Sequence, residues 1–181
     1  MLPIFNRLYL SAQNLVVPAA LLLIYHLDRS VYLTLRRTLV GAWLIAVPIY
    51  ALFPTAPPRL AHLGIADTVS AGTAVQLTSR TTTLFFNPFA AVPSLHVGFA
   101  FAIAIGLAAV ARGLLLRLVA LAWGPVILLT VVVTGNHFVL DAAVGLAVTG
   151  IAFLVVGRPT RAPLTVLARA WRGEQPAAAC C

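Results

Sequence analysis

Five apolar runs, each close to the length of a membrane span, restrict what this chain can fold into. They occupy residues 8–27, 39–53, 93–111, 114–134 and 136–156. A helix crosses a bilayer with about 20 apolar residues, and it satisfies its own backbone hydrogen bonds there. The runs therefore predict an all-α integral membrane protein, a bundle of about five transmembrane helices. We expect one transmembrane domain over residues 1–157 and a basic cytoplasmic tail over residues 158–181.

The charged residues make up only 9% of the chain, and the net charge is +8. All twelve basic residues are arginines that stand singly or in pairs between apolar runs. This pattern fits attraction to anionic lipid headgroups and lacks the basic patch with aromatic residues that marks a nucleic-acid surface. Cys180 and Cys181 are adjacent at the end of the sequence and predict no disulfide framework. No Cys/His group has metal-ligand spacing, so we expect no metal, no cofactor and no nucleic-acid partner.

A polar stretch, residues 134–141, interrupts the last two apolar runs and contains His137 and Asp141. Residues four apart share one face of a helix, so we expect the Asp141 carboxylate to hold one imidazole nitrogen of His137. The other nitrogen is then free as a base or nucleophile. Ionisable groups at the mouth of a membrane helix are costly and usually functional. The alternative is that this pair, with Asn136, only caps a helix start.

Two further polar stretches complete the pattern. Pro93, Ser94 and His96 open the third run, and Pro93 suits a first helical position, which leaves the following amides free to bind an anion. A histidine beside such amides can protonate the leaving group of a bound anion. Arg59 follows the second run, and its guanidinium fits a phosphate by paired hydrogen bonds. Together the three stretches predict phosphoryl transfer.

The sequences of these stretches resemble those of one family of integral membrane enzymes. Pro-Ser-Leu-His at residues 93–96, followed by His137-x-x-x-Asp141, resembles the type 2 phosphatidic acid phosphatase superfamily. Phe-Pro-Thr-Ala-Pro-Pro-Arg at residues 53–59 and the Ser-Leu-His form resemble its inositolphosphotransferase-like branch. The similarity runs from about residue 30 to residue 157. It implies a metal-independent lipid phosphatase or phosphotransferase that uses a phosphohistidine.

The resemblance also implies roles for individual residues. His137 is the nucleophile that becomes phosphorylated, Asp141 orients it, and His96 protonates the leaving group. Arg59 and Ser94 bind the phosphate of the substrate, a lipid phosphate in the membrane. The chain departs from the wider family in two places, because it contains no lysine and has Thr130 and Val131 where the third motif usually begins Ser-Arg. Two phosphate-holding cations of the wider family are therefore absent, which is closer to the branch than to the wider family.

The longest segment between runs, residues 54–90, is expected to lie over the site and to carry a short interfacial helix near residues 84–89. A loop of this length in a compact domain is usually functional. His62, Asp67 and Arg80 fall in it, and for each the simplest interpretation is a solvated loop residue.

Arginine counts predict the orientation of the bundle. With five spans, nine arginines fall on one side and three on the other, and the positive-inside rule places the nine in the cytoplasm. The three are Arg7, Arg59 and Arg80. The three motifs then meet on the outer face of a bacterial-type cell membrane, with the N-terminus outside. The resemblance implies six core spans, so we expect this chain to be that core without its first helix.

Four functions are compatible with these residues. The first is a lipid phosphatase that hydrolyses a phospholipid or polyprenyl phosphate, and the second is a phosphotransferase that moves a phospho-headgroup to an alcohol. The third is a membrane haem protein with His96 and His137 as axial ligands, but such a site needs neither the Pro-Ser before His96 nor the Asp141 carboxylate. The fourth is a membrane scaffold whose site has decayed. The sequence does not distinguish water from an alcohol as acceptor, and the oligomeric state is open.

Overall fold

The computed structural model describes residues 2–61, 63–73 and 87–157, and within these ranges the secondary structure is helical. Four helices are long and apolar enough to cross a membrane, and a fifth apolar helix of 16 residues is shorter. This confirms the predicted all-α membrane bundle. The helices are α1 (Leu2–Leu27), α2 (Arg29–Leu52), α3 (Thr68–Gly72), α4 (Leu95–Val110), α5 (Leu114–Val133) and α6 (Val139–Gly157).

The link between the first two helices is much shorter than the sequence predicts. The apolar runs place a polar connection of about a dozen residues before residue 39, whereas α2 begins at Arg29 and only Asp28 separates it from α1. The Asp28 carboxylate accepts hydrogen bonds from the amides of Ser30 and Val31 at 2.8 and 3.1 Å. This N-cap starts helix α2. The first turns of the helix can be polar, because arginine side chains keep their charge at the interface while their stems cover apolar surface.

Helix α4 lies at the centre of the bundle. One core cluster joins it to α1, α2 and α6 through residues such as Ile24, Ala42, Ile103 and Ala152. A second cluster joins it to α1, α3, α5 and α6 through residues such as Val69 and Ala142. A helix that is apolar all round is normally buried among others. Helix α4 therefore holds the residues at its N-terminus in a fixed position relative to every other long helix.

Glycines allow α4 and α6 to touch backbone to backbone. A Cβ atom at Gly145 would collide with the Ser94 carbonyl, and one at Gly98 would collide with Thr149 and the Gly145 carbonyl. Small residues in the third and fifth apolar runs predict close helix packing at Gly98, Gly106, Gly145 and Gly150. The first three pack closely, since a Cβ at Gly106 would come within 3.2 Å of Leu35 and Ile24, but the prediction is wrong for Gly150, where a Cβ would meet nothing within 4 Å. The contact places the start of α4 beside the start of α6.

The two ends of the long loop also meet. Thr55 and Ala90 form a parallel bridge, in which the Thr55 amide donates to Phe89 O and the Ala91 amide donates to Thr55 O. This pairing draws residues 53–59 alongside residues 93–96. The predicted interfacial helix lies largely outside the described residues, and residues 87–89 form a turn. His62, Arg80 and the predicted tail at residues 158–181 also lie outside them.

Candidate active site

A cavity of about 330 Å³ lies where α1, α2, the long loop and the starts of α4 and α6 meet. Three of the predicted site residues line it: Arg59, His96 and His137. The other two, Ser94 and Asp141, are buried and are not among the lining residues. The wall is completed by aromatic, amide and proline side chains, with alanines and a leucine: Tyr9, Gln13, Asn14, Trp43, Tyr50, Pro57, Asn87, Pro88, Ala90, Ala91, Leu95 and Asn136.

His137 lies in the connection before α6 and not on a helix, which corrects the predicted geometry. Helix α6 begins at Val139, with Phe138 at its N-cap position, so Asn136 does not cap it. The amides of Asn136 and His137 both donate to Val131 O, at 3.0 and 3.1 Å, across a turn in which Gly135 has a φ of +67°. This tight turn, which glycine tolerates without strain, aims the imidazole at the cavity.

The His137 ring is held by a backbone carbonyl that the sequence does not reveal. Its Nδ1 atom lies 2.9 Å from Ala91 O and 3.5 Å from the Asp141 carboxylate. A carbonyl can only accept, so Nδ1 carries the proton and Nε2 bears the lone pair. The Asp141 carboxylate accepts the Phe138 amide at 2.8 Å and stands beside the ring as a negative charge. The pair is therefore adjacent, as the spacing predicts, but the shorter contact is to Ala91.

His96 faces His137 across the cavity wall, with ring centroids 5.8 Å apart. The Tyr9 ring also stacks on the His96 ring, with centroids 4.6 Å apart and an interplanar angle of 20°. Helix α4 begins at Leu95 with Ser94 as N-cap residue, so Pro93 is not its first helical residue as expected. His96 nevertheless belongs to the first turn, whose amides have no acceptor within the helix. Nothing in the sequence marks Tyr9 as its neighbour.

Arg59 is buried and held by two side chains. Its side chain is 5% exposed, its Nη1 donates to Asn136 Oδ1 at 3.0 Å, and its Nε lies 3.6 Å from the Asp67 carboxylate. Asp67 also caps α3 by accepting the Ser70 amide at 3.0 Å. The expectation of a solvated loop residue is wrong for Asp67. The structure thus supplies two site residues, Asp67 and Asn136, that sequence reasoning read only as a loop residue and a helix cap.

Three cavity-lining residues, Gln13, Arg59 and His96, have a buried polar atom without a hydrogen-bond partner. The atoms of this kind in the described part of the chain are Gln13 Oε1, Arg59 Nε, Ser94 Oγ, His96 Nε2 and Trp123 Nε1. Such atoms are nearly always satisfied in folded proteins, so each exception needs an explanation. Three of the five belong to predicted site residues, and one of these carries a positive charge. The arrangement suits a polar, anionic group in the cavity.

Comparison with known families agrees with this geometry. The model of the PAP2 superfamily, the type 2 phosphatidic acid phosphatases, matches residues 1–155. The chain belongs to the PAP2 superfamily. The superfamily comprises phosphatases and related phosphotransferases, which supports a function of that type. No curated protein and no solved structure gives a significant match to the chain.

The PAP2 match includes α1, which the motif resemblance from residue 30 onward leaves out. That helix supplies Tyr9, Gln13 and Asn14 to the cavity wall. At the positions of the absent Ser-Arg pair, Thr130 and Val131 are buried in α5, and the Thr130 hydroxyl donates to Val126 O. Among the described residues no three His, Cys, Asp or Glu side chains group together in the manner of a metal site.

Proposed function

We propose that the chain is a metal-independent lipid phosphatase that acts through a phosphohistidine on His137. The observation that carries the proposal is the hydrogen bond of His137 Nδ1 to Ala91 O, which leaves Nε2 as the nucleophile in a cavity shared with Arg59 and His96. A nucleophile, a second histidine and a cation on one wall are the parts that phosphoryl transfer needs. PAP2 membership supports the same class of reaction.

In the first step His137 Nε2 attacks the phosphorus of a lipid phosphate, and the bond from phosphorus to the lipid oxygen breaks. His96, protonated at this stage, gives its proton to the departing oxygen, so the lipid leaves as a neutral alcohol. Arg59 and the first-turn amides of α4 hold the phosphoryl oxygens. We assign a further phosphate contact to Ser94, because its buried hydroxyl has no partner among the described residues. Asp141 stabilises the positive charge that develops on the His137 ring.

In the second step a water molecule attacks the phosphohistidine, and His96 accepts its proton. Inorganic phosphate leaves and His137 is restored. If an alcohol takes the place of the water, the same residues perform phosphotransfer. Residues 53–59 and 93–96 favour this second candidate, because they resemble the inositolphosphotransferase-like branch.

The reaction is tested by incubating the purified protein with phosphatidic acid, a lysolipid phosphate and a polyprenyl phosphate, with and without an alcohol such as inositol. We expect phosphate release from at least one lipid, and the rate should be unchanged in excess EDTA because no step uses a metal. A new phosphate monoester of the added alcohol would identify a transferase. Loss of turnover in EDTA that Mg²⁺ restores would refute the histidine mechanism as written.

A second prediction concerns the support of Arg59. Asp67→Asn removes the negative charge beside Arg59 Nε but keeps a side chain that can cap α3. We expect kcat/KM to fall roughly tenfold, because the guanidinium would lose the carboxylate that lies 3.6 Å from its Nε and with it part of its orientation. The matched control is Asp28→Asn, which makes the same change in the N-cap of α2 away from the cavity. An increase in rate would show instead that Asp67 competes with the substrate phosphate for Arg59.

The proposed orientation places the cavity on the outer face of a bacterial-type cell membrane. It follows from the excess of arginines on the opposite side. In a chain carrying Cys180→Ser and Cys181→Ser, a cysteine at exposed Leu63 should react with an impermeant thiol reagent in intact cells, and one at Arg112 should not. The reverse pattern would invert the topology.

A further inference from the structure

Helix α1 changes its hydrogen-bonding pattern where it passes the cavity. Residues Ala12–Val16 form a π-helical turn between two α-helical segments. Such turns are rare and occur often at functional sites, because the extra residue rotates side chains away from the regular helical register. Here the turn carries Gln13 and Asn14, and both line the cavity.

The side-chain amides of Asn14 and Gln13 differ in their hydrogen bonds. Asn14 donates from Nδ2 to Leu10 O of its own helix at 3.0 Å. Gln13 Oε1 is buried and has no hydrogen-bond partner in the described part of the chain. Gln13 is the twelfth residue of α1, so it lies about 16 Å along the axis from Leu2, well inside the membrane span. An unsatisfied amide oxygen at that depth is costly, and a donor group of a bound ligand would supply the missing hydrogen bond.

The position of Gln13 relative to His96 indicates which part of a substrate reaches it. Tyr9 stacks on His96, and Gln13 follows Tyr9 by four residues on α1, about 6 Å further along the axis. In the proposed reaction His96 gives its proton to the departing lipid oxygen. The departing lipid alcohol must come close to His96, and Gln13 lines the same cavity.

We propose that Gln13 Oε1 accepts a hydrogen bond from a hydroxyl group of the lipid alcohol, on the carbon next to the one that carries the phosphate ester. The inference rests on the proposed lipid phosphatase or phosphotransferase function. An amide oxygen needs a donor. A polyprenyl phosphate has only hydrocarbon at this position, and a diacylglycerol phosphate has an ester, which only accepts. A monoacylglycerol phosphate has a free hydroxyl there, so Gln13 favours the lysolipid class of substrate.

The test compares 1-oleoylglycerol 3-phosphate with its analogue that lacks the C2 hydroxyl. For the wild-type protein we expect kcat/KM to be roughly tenfold higher with the hydroxyl, the value of one buried hydrogen bond. Gln13→Leu should lower kcat/KM for the hydroxyl substrate by about the same factor and change that for the deoxy analogue less than about threefold. The control Thr38→Val makes a polar-to-apolar change in α2 outside the cavity, where the hydroxyl bonds to Thr34 O, and should keep the preference.

Two results would overturn the inference: a wild-type protein that does not distinguish the two lipids, or a Gln13→Leu variant that loses activity toward both equally. If no lipid phosphate is turned over, the proposed function fails. The Gln13 contact is then tested by measuring the binding of the same two lipids. Trp43 lines the cavity, so its fluorescence reports occupancy in a chain that carries Trp123→Phe and Trp171→Phe. Tighter binding of the hydroxyl lipid that Gln13→Leu abolishes would support the subsite without the reaction, and equal binding would remove it.

Discussion

His137→Ala should lower turnover of a lipid phosphate by about 10⁴-fold or more and abolish any covalent phosphoenzyme, because removal of a nucleophile commonly costs several orders of magnitude. The imidazole is buried in the cavity wall and held through Nδ1, so no neighbouring group can take its place without rearrangement. The measurement is phosphate release, together with rapid quenching of the protein in alkaline detergent after incubation with ³²P-labelled substrate. The trapped label should be labile to acid and stable to base, as expected of a phosphoramidate bond.

The control for this change is His26→Ala. His26 is an exposed histidine near the end of α1, where it contacts the Tyr25 ring and lies outside the cavity lining. This variant should keep full activity and full phosphoenzyme formation. If His137→Ala still forms the labelled intermediate, the nucleophile is another residue, and the assignment of the Ala91 hydrogen bond as the activating contact is wrong.

Much of the fold follows from the sequence because the bilayer imposes a simple rule. Apolar runs must be helical when they cross it, and the observed ends of α4 and α5 differ from the predicted ones by only one or two residues. Hydropathy does not predict the ends of a helix correctly where polar residues continue the helix. Arginines at positions 29, 36 and 37 look like a loop in a hydropathy pattern, yet they lie on α2 because Asp28 caps it and Arg29 lies over the Tyr25 ring at 4.1 Å.

In the candidate site, too, the sequence identifies some residues and does not reveal others. His96, His137 and Arg59 are candidates from the sequence alone, because phosphoryl transfer needs side chains of particular types at particular spacings. Their partners are not, because a backbone carbonyl such as that of Ala91 has no sequence signature. Asp67 and Asn136 reach Arg59 only through the folded loop and the turn at Gly135. A residue that contributes by contacting a site side chain can be identified only from the folded structure that brings the two together.

The second large effect concerns the other histidine, and it depends on the substrate. His96→Ala should lower turnover of a lipid phosphate by about 10²- to 10⁴-fold, because a lipid alkoxide is a poor leaving group that needs a proton. With an activated aryl phosphate such as 4-nitrophenyl phosphate, the leaving group departs without one. We therefore expect the same variant to lose no more than about tenfold with the aryl substrate. The quantity to measure is the ratio of the two losses.

Leu95→Ala separates proton donation from packing in that experiment. Leu95 precedes His96 in the first turn of α4 and also lines the cavity, but it carries no proton. Its removal should change the turnover of both substrates by a similar factor. A variant of His137 that the aryl phosphate rescues, together with a His96 variant that it does not, would reverse the roles of the two histidines. In that case the nucleophile would be the ring stacked on Tyr9, and the hydrogen bond from His137 to Ala91 O would hold the proton donor.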